Sequence, residues 1–261
     1  MKEESLITYN RQGLIPGPDE TEAEFLARAA YCLSLKSSFE ERTGQTMEEE
    51  QFPLPHALTL KWFDIAPEWV PVMRSNHKLF PWQGGAAWIF RETETAPLSA
   101  FLQLRRKIWG NYTEEEILAH EMAHVGRMAF EEPNFEEMLA YQTSRRLLPR
   151  IFGPIVKSSG ESLLFILSCF LPLIHFPLIL ISLTLLLYGV IRLRRRAQTF
   201  HKCVDVLRQL YPAAPEHILY RLTDREITAF STMTPAQITV YANEAAQADL
   251  RWRQMIICYL S

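Results

Sequence analysis

The sequence predicts an α+β fold in three parts. A small mixed sheet with helices forms residues 1–156, an apolar membrane segment occupies 161–192, and further helices form 197–261. Two observations carry this prediction. Short β-prone stretches lie between residues 57 and 109, between segments of helical pattern, and the thirty residues from Ser162 to Ile191 contain no Asp, Glu, Lys or Arg.

The overall composition excludes several classes of protein. With 22% charged and 48% hydrophobic residues, the chain of 261 residues is neither disordered nor a polytopic membrane protein. A net charge of −3 gives no global attraction to nucleic acid, so no nucleic-acid partner is expected. The four cysteines are far apart and predict no disulfide framework, and the first residues resemble no signal peptide. Both points favour synthesis in a reducing compartment, with the soluble parts kept there.

Local patterns place the elements of the N-terminal half. Thr21 and Glu24 have the spacing of a capping box and open a predicted helix with an apolar stripe. The stretch near 99–106 alternates only roughly and ends in basic residues, which favours a sheet edge. In order, we expect an irregular start at 1–18, a helix at 19–36, a polar and proline-rich connection at 37–56, and strands at 58–63, 86–90 and 100–105.

Helical patterns return in the second half of the chain. Thr113 and Glu116 form a second capping box, and three glutamates suit the positive end of the helix that follows. This helix is expected to end near Phe130, and another at 134–148 to end before Pro149. Thr234-Pro235 is a strong start signal for a last helix that runs to Tyr259.

Residues 120–124 read His-Glu-Met-Ala-His and carry the chemistry. On a helix, His120 and His124 lie one turn apart on the same face and can bind one zinc ion. Glu121 lies beside them and can take a proton from a zinc-activated water that attacks a carbonyl group. The motif therefore predicts a catalytic zinc site with Glu121 as general base.

A zinc site of this kind needs a third protein ligand. Phe130 stands where one class of zinc peptidase has a third histidine ligand, so that class is excluded. The next histidine, His175, is a poor candidate, because it lies in the apolar run near its predicted bend and is expected to reach lipid headgroups or a backbone carbonyl group. Glu136 and Glu137 open the next helix and are both candidates. Glu137 could instead cap that helix together with Asn134.

The segments His120–His124 and Glu137–Tyr141 together resemble the gluzincin branch of zinc metallopeptidases. Tyr141 stands where many of those proteins have an aspartate, and Leu147-Leu148-Pro149 is similar to the end of their ligand helix. The resemblance covers roughly residues 110–150. It implies a zincin-like catalytic domain, peptidase activity on a peptide or protein substrate, and Glu137 as the third zinc ligand. Tyr141 could donate a hydrogen bond to a developing oxyanion, or could simply be packed.

The apolar run is too long for one straight span and too short for two. Thirty residues as a helix measure about 45 Å, against a hydrocarbon core of about 30 Å. Pro172 and Pro177 divide the run, and four arginines follow it between 192 and 196. We expect a hairpin that keeps both flanks in the cytoplasm, with a single span or a buried core or oligomer contact as alternatives.

These patterns lead to one principal function and one alternative. The principal hypothesis is a membrane-associated zinc-dependent endopeptidase that works beside the lipid bilayer, with a homo-oligomer left open. The alternative is a non-enzymatic, membrane-anchored adaptor with a structural or inactive zinc site. An intramembrane protease is disfavoured because His120 and His124 lie in a polar segment about forty residues before the run.

Overall fold

The structure, a computed structural model, describes residues 1–43, 53–108, 112–157 and 159–260. It confirms an α+β chain with a small mixed sheet. The strands are β1 (Val72–Arg74), β2 (Gly85–Phe90) and β3 (Ser99–Leu104). The helices are α1 (Glu3–Arg11), α2 (Glu22–Thr43), α3 (Pro53–Phe63), α4 (Glu114–Gly126), α5 (Glu136–Ala140), α6 (Leu147–Phe152), α7 (Ser159–Ser168), α8 (Ile179–Leu210), α9 (Pro215–Leu219), α10 (Asp224–Phe230), α11 (Pro235–Ala245) and α12 (Leu250–Met255).

The sheet has the order β1-β3-β2. β1 runs parallel to β3, and β2 runs antiparallel to it. The predicted strands at 86–90 and 100–105 correspond to β2 and β3, whereas β1 is too short to be visible in the sequence pattern. The prediction of a sheet edge near 99–106 is wrong, because β3 pairs on both sides and is buried along most of its length. The exposed edge next to the site belongs to β2.

The predicted strand at 58–63 is wrong, since these residues belong to α3. Pro55, Thr59 and Phe63 are its buried positions, at the spacing of four that a helix requires. The Thr59 hydroxyl donates to the Ile65 carbonyl oxygen at 2.7 Å, which ties down the chain after the helix. The helix α3 packs against α4, and this tertiary contact overrides the β-propensity of the short apolar run.

The N-terminal region is more helical than the sequence predicts. Part of the expected irregular start at 1–18 forms α1, where Leu6 and Asn10 are buried one turn apart. The capping box at Thr21 and Glu24 is confirmed by hydrogen bonds in both directions. α2 continues past residue 36 to Thr43, and residues 53–56 belong to α3. The rest of the predicted connection, residues 44–52, lies outside the described residues.

The helix predicted at 134–148 is divided into two short helices. α5 ends at Ala140, a 3₁₀ turn follows at Tyr141–Thr143, and α6 begins only at Leu147. Between the two helices the carboxylate of Glu116 accepts the backbone N–H of Arg145 at 2.9 Å, which ties this part of the chain to α4. Pro149 does not stop a helix. It lies in the first turn of α6, where proline is tolerated.

The predicted last helix is also divided. Thr234 opens α11 with a capping box, as expected. The helix ends at Ala245, and Asp249 begins α12 by accepting the backbone N–H of Arg251 at 2.8 Å. A competing cap inside the helical pattern therefore breaks what reads in sequence as one helix.

Two apolar clusters hold α4 between them. Ala123 packs in one cluster with the C-terminal helices, which contribute Phe200 and Trp252. Leu118 and Met122 pack in the other with α1, α2 and the sheet. The N-terminal part and the residues after 197 therefore share a core, and α4 is fixed on two faces.

The apolar run forms α7, two short 3₁₀ turns and the first part of α8. One stretch of the described chain, Phe176–Leu210, is long and apolar enough to cross a membrane. The helical segments Leu147–Ile155 and Gly160–Leu173 are long and apolar enough only when taken together, and their axes are bent by 86° relative to each other. Leu173 and Ile174, at the turn, are 82% and 81% exposed. The run is therefore not a core element of this chain. Glu161 and Arg192, at the two ends of the run, form a bidentate ion pair. Arg192 Nη2 donates to Glu161 Oε2 at 2.6 Å, and Arg192 Nη1 donates to Glu161 Oε1 at 2.7 Å.

Candidate metal centre

The helix α4 carries the three residues of the predicted motif. Its start is fixed by the predicted capping box, in which the Thr113 hydroxyl accepts the backbone N–H of Glu116 at 3.2 Å. Farther along, His120, Glu121 and His124 line one cleft. The rigid placement of α4 in the core determines where these side chains lie.

The cleft has a volume of about 1320 Å³. Residues of β2, α4 and α5 line it. Gly153, Val156 and Ser162 line it as well, at the base of the apolar hairpin, which consists of α7, the two 3₁₀ turns and the first part of α8. Gly85 allows β2 to approach α4, because a Cβ there would lie 2.8 Å from Ile117 and 2.9 Å from the Gln103 carbonyl oxygen. The cleft therefore extends from the outer edge of β2, with which no strand of the described residues pairs, to the apolar segment.

His120, His124 and Glu137 meet in this cleft. Their ligand atoms all lie within 4.8 Å of one another, the only such group of metal-ligand side chains found among the described residues. The two imidazole Nε2 atoms are 3.3 Å apart. The Glu137 carboxylate is 3.5 Å from His120 Nε2 and 3.7 Å from His124 Nε2.

Glu136 points to the other side of His124. Its Oε1 lies 3.0 Å from His124 Nδ1, and its Oε2 accepts from Arg127 Nε at 2.7 Å. Glu136 is thus turned away from the group that Glu137 joins. A carboxylate on Nδ1 holds the ring in the tautomer that leaves Nε2 free for a metal.

Arg127 is the residue that sequence reasoning missed. Its side chain is fully buried, and its Nη1 donates to the carbonyl oxygens of Tyr220 and Leu222. Its guanidinium also lies 4.2 Å from the Phe130 ring centre. Because the two carbonyl groups that orient Arg127 lie 93 and 95 positions further along the chain, no local pattern around Arg127 could have revealed its role.

Glu121 is held against the sheet. Its Oε2 accepts the backbone N–H of Ala87 in β2 at 2.8 Å. Burial, reinforced by the charge of Glu137, raises the pKa of this carboxyl to about 7, although His124 opposes the shift. A carboxyl with such a pKa can both accept and return a proton near neutral pH.

The two histidines differ in their electrostatics. Burial, together with the neighbouring His124, lowers the pKa of His120 well below its ordinary value. Burial also acts to lower the pKa of His124, but the hydrogen bond to Glu136 and the charges of Glu137 and Glu121 outweigh it and raise that pKa. Two imidazoles and three carboxyl groups thus line the same cleft, and the Arg127 guanidinium pairs with one of these carboxyl groups, that of Glu136.

The donor set fits zinc. Two imidazole nitrogens and one carboxylate are a ligand combination of catalytic zinc sites, which keep a further position for water or substrate. The two Nε2 atoms face each other at 3.3 Å, so a proton or a cation can lie between them. The side chains of this cleft are therefore suited to hold such an ion.

Tyr141 lies beside the cluster. Its ring meets the His120 ring edge-to-face, with centres 4.6 Å apart, and it lines the cleft. A Cβ on Gly153 would collide with this ring, so Gly153 makes room for it. Burial raises the pKa of the Tyr141 hydroxyl, which keeps it protonated and able to donate a hydrogen bond.

Two further possibilities raised by the sequence concern a capping role for Glu137 and a ligand role for His175. Glu137 does not cap α5 with Asn134, because Phe135 is the N-cap residue and the backbone N–H of Asn134 donates to Asp224. His175 is exposed at the turn of the apolar hairpin, outside the group formed by His120, His124 and Glu137. The predicted site residues on α4 and α5 are thus the ones that the fold brings together.

Comparisons of the chain with known proteins found no matching family model, no similar curated protein and no similar solved structure.

Proposed function

We propose that this protein is a membrane-associated, zinc-dependent endopeptidase. The observation that carries the proposal is the meeting of His120, His124 and Glu137 in one cleft, with Glu121 beside them on the same helix. The gluzincin-like order of these residues in the sequence supports the same function. Zinc bound by the three side chains would polarise a peptide carbonyl and lower the pKa of a water to about 7.

The roles of the protein groups follow from their positions. Glu121 accepts the proton of the attacking water and returns it to the leaving amine. Its hydrogen bond to Ala87 orients the carboxylate for this transfer. Glu136 and Arg127 orient His124.

Substrate binding falls to β2 and Tyr141. β2 is the edge of the sheet next to the cleft, so an extended peptide can pair with the outer backbone groups of β2 beside the Ala87 N–H, which donates to Glu121. The Tyr141 hydroxyl donates to the oxyanion that develops on the attacked carbonyl. Both elements belong to the cleft that holds the cluster.

The membrane part of the proposal is a hairpin that enters and leaves the bilayer on one side. The ion pair between Glu161 and Arg192 supports it, because a single span would place these two residues on opposite sides. Arg194 and Arg195 are exposed after the run, and Arg145 and Arg146 before it. Basic residues on both flanks favour the cytoplasmic face for the catalytic part.

Zinc-dependent peptide cleavage tests this function. The purified full-length chain in detergent micelles should cleave members of a mixed peptide library, lose this activity after chelation, and regain it with added zinc. The products, identified by mass spectrometry, should show internal cleavage.

A different result would favour the adaptor. Absence of cleavage with and without zinc, together with normal folding and no bound metal in both wild type and His120→Ala, would contradict the peptidase. The same pair of proteins, measured by circular dichroism and metal analysis, distinguishes a missing activity from a misfolded sample.

A further inference from the structure

The short helix α6 presents an unusual apolar surface. None of its residues is buried, and four large apolar side chains are exposed to 68%, 67%, 46% and 53%: Leu147, Leu148, Ile151 and Phe152. A contiguous apolar patch outside a core marks a surface that binds a protein or a membrane.

The charge around α6 points to an anionic partner. Residues 143–157 contain four basic residues and no acidic one. Arg145 and Arg146, which directly precede the apolar residues, are exposed. Basic residues beside exposed apolar ones match the boundary between anionic headgroups and acyl chains.

The direction of α6 is also that of a helix lying on a bilayer. The segment Leu147–Ile155 is bent by 86° from Gly160–Leu173, which leads into the apolar hairpin. If the hairpin enters along the membrane normal, α6 runs in the membrane plane. Arg192 marks the hairpin base, where it donates to the Ile155 carbonyl oxygen and lies 5.5 Å from the Tyr188 ring centre. Tyrosine and arginine at this level are typical of the membrane interface.

We propose that α6 is an interfacial helix that binds the surface of an anionic lipid bilayer. Leu147, Leu148, Ile151 and Phe152 enter the boundary between headgroups and acyl chains, while Arg145 and Arg146 contact the headgroups. The inference rests on the membrane anchoring proposed above. Because Gly153, Val156 and Ser162 line the cleft, the lipid surface bound by α6 adjoins the entrance to the candidate metal centre.

Depth-dependent fluorescence quenching tests the contact. An environment-sensitive dye is attached to Leu148→Cys in the full-length chain, in which the exposed Cys169 and the half-buried Cys258 have been replaced by serine. The protein is reconstituted into vesicles of phosphatidylcholine and phosphatidylglycerol that carry a spin label near the headgroup or deep in the acyl chain. The shallow label should quench the fluorescence strongly and the deep label much less, because an interfacial helix lies at the boundary between headgroups and acyl chains.

Matched positions serve as controls. A dye at Ile174→Cys, at the turn of the hairpin, should be quenched most strongly by the deep label. A dye at Val240→Cys, 57% exposed on α11, should be quenched by neither label. Vesicles without phosphatidylglycerol should reduce quenching at position 148 and leave position 174 unchanged, because the turn of the hairpin is apolar and contains no Lys or Arg, whereas exposed arginines directly precede α6.

The controls separate two kinds of failure. Quenching at 174 without quenching at 148 would overturn the interfacial role of α6 and leave the membrane anchor intact. No quenching at either position would overturn both the anchor and the inference. A shallow signal at 148 that disappears in Leu147→Glu/Leu148→Cys, with folding unchanged, would support the direct apolar contact.

Discussion

Replacing Glu121 with glutamine should lower the rate of peptide cleavage by about a hundredfold to ten-thousandfold, the usual contribution of a general acid–base group. Bound zinc should stay unchanged, because His120, His124 and Glu137 remain. The glutamine side chain keeps a carbonyl oxygen that can accept the Ala87 N–H, so the contact with β2 is preserved. The loss would therefore report proton transfer and not local unfolding.

The matched control is Glu131→Gln. Glu131 lines the same cleft and is exposed, so its replacement removes the same charge without touching the cluster. Cleavage rates and zinc content are measured side by side for the two variants and wild type. Equal activity of Glu121→Gln and wild type would contradict the general-base role. Equal losses in both variants would assign the effect to the charge of the cleft.

The second large effect is expected for Arg127→Met. This change leaves the carboxylate of Glu136 without its buried cation, and removing one partner of a buried ion pair costs about 3–5 kcal/mol. The carbonyl oxygens of Tyr220 and Leu222 also lose their donor. We therefore expect a large drop in the free energy of unfolding, measured by denaturant titration in detergent.

The double variant Arg127→Met/Glu136→Leu separates stability from metal binding. Replacing both charges with apolar side chains should recover much of the stability, since no unpaired charge stays buried. Zinc affinity should remain about 10–100-fold weaker, because His124 Nδ1 has lost its orienting carboxylate. Full recovery of zinc affinity in the double variant would show that Glu136 does not orient His124.

The start of α4 and the position of the cluster could be predicted from local signals. The Thr113–Glu116 capping box and the spacing of His120 and His124 act within single helical turns, so they are visible in the sequence. The choice between Glu136 and Glu137 could not be made this way. It depends on Arg127, which is oriented by carbonyl groups from the C-terminal part of the chain.

The errors in the fold prediction have the same physical origin. The apolar run at 58–63 suits a strand by composition, but packing on α4 makes it a helix. The segment at 99–106 became the central strand because β2, which precedes it in the chain, pairs with one side and β1, which lies before β2, pairs with the other. Patterns within a segment predict its propensity, whereas its neighbours in space determine its final structure.

Metal analysis of the purified full-length protein tests the central claim most directly. Wild type should contain about one zinc ion per chain, as expected for a site with three protein ligands. Glu137→Ala should lose most of this zinc, and Glu136→Ala should retain a site of weaker affinity. Wild-type protein that binds no zinc, or a Glu137→Ala variant with unchanged zinc affinity, would contradict a centre formed by His120, His124 and Glu137.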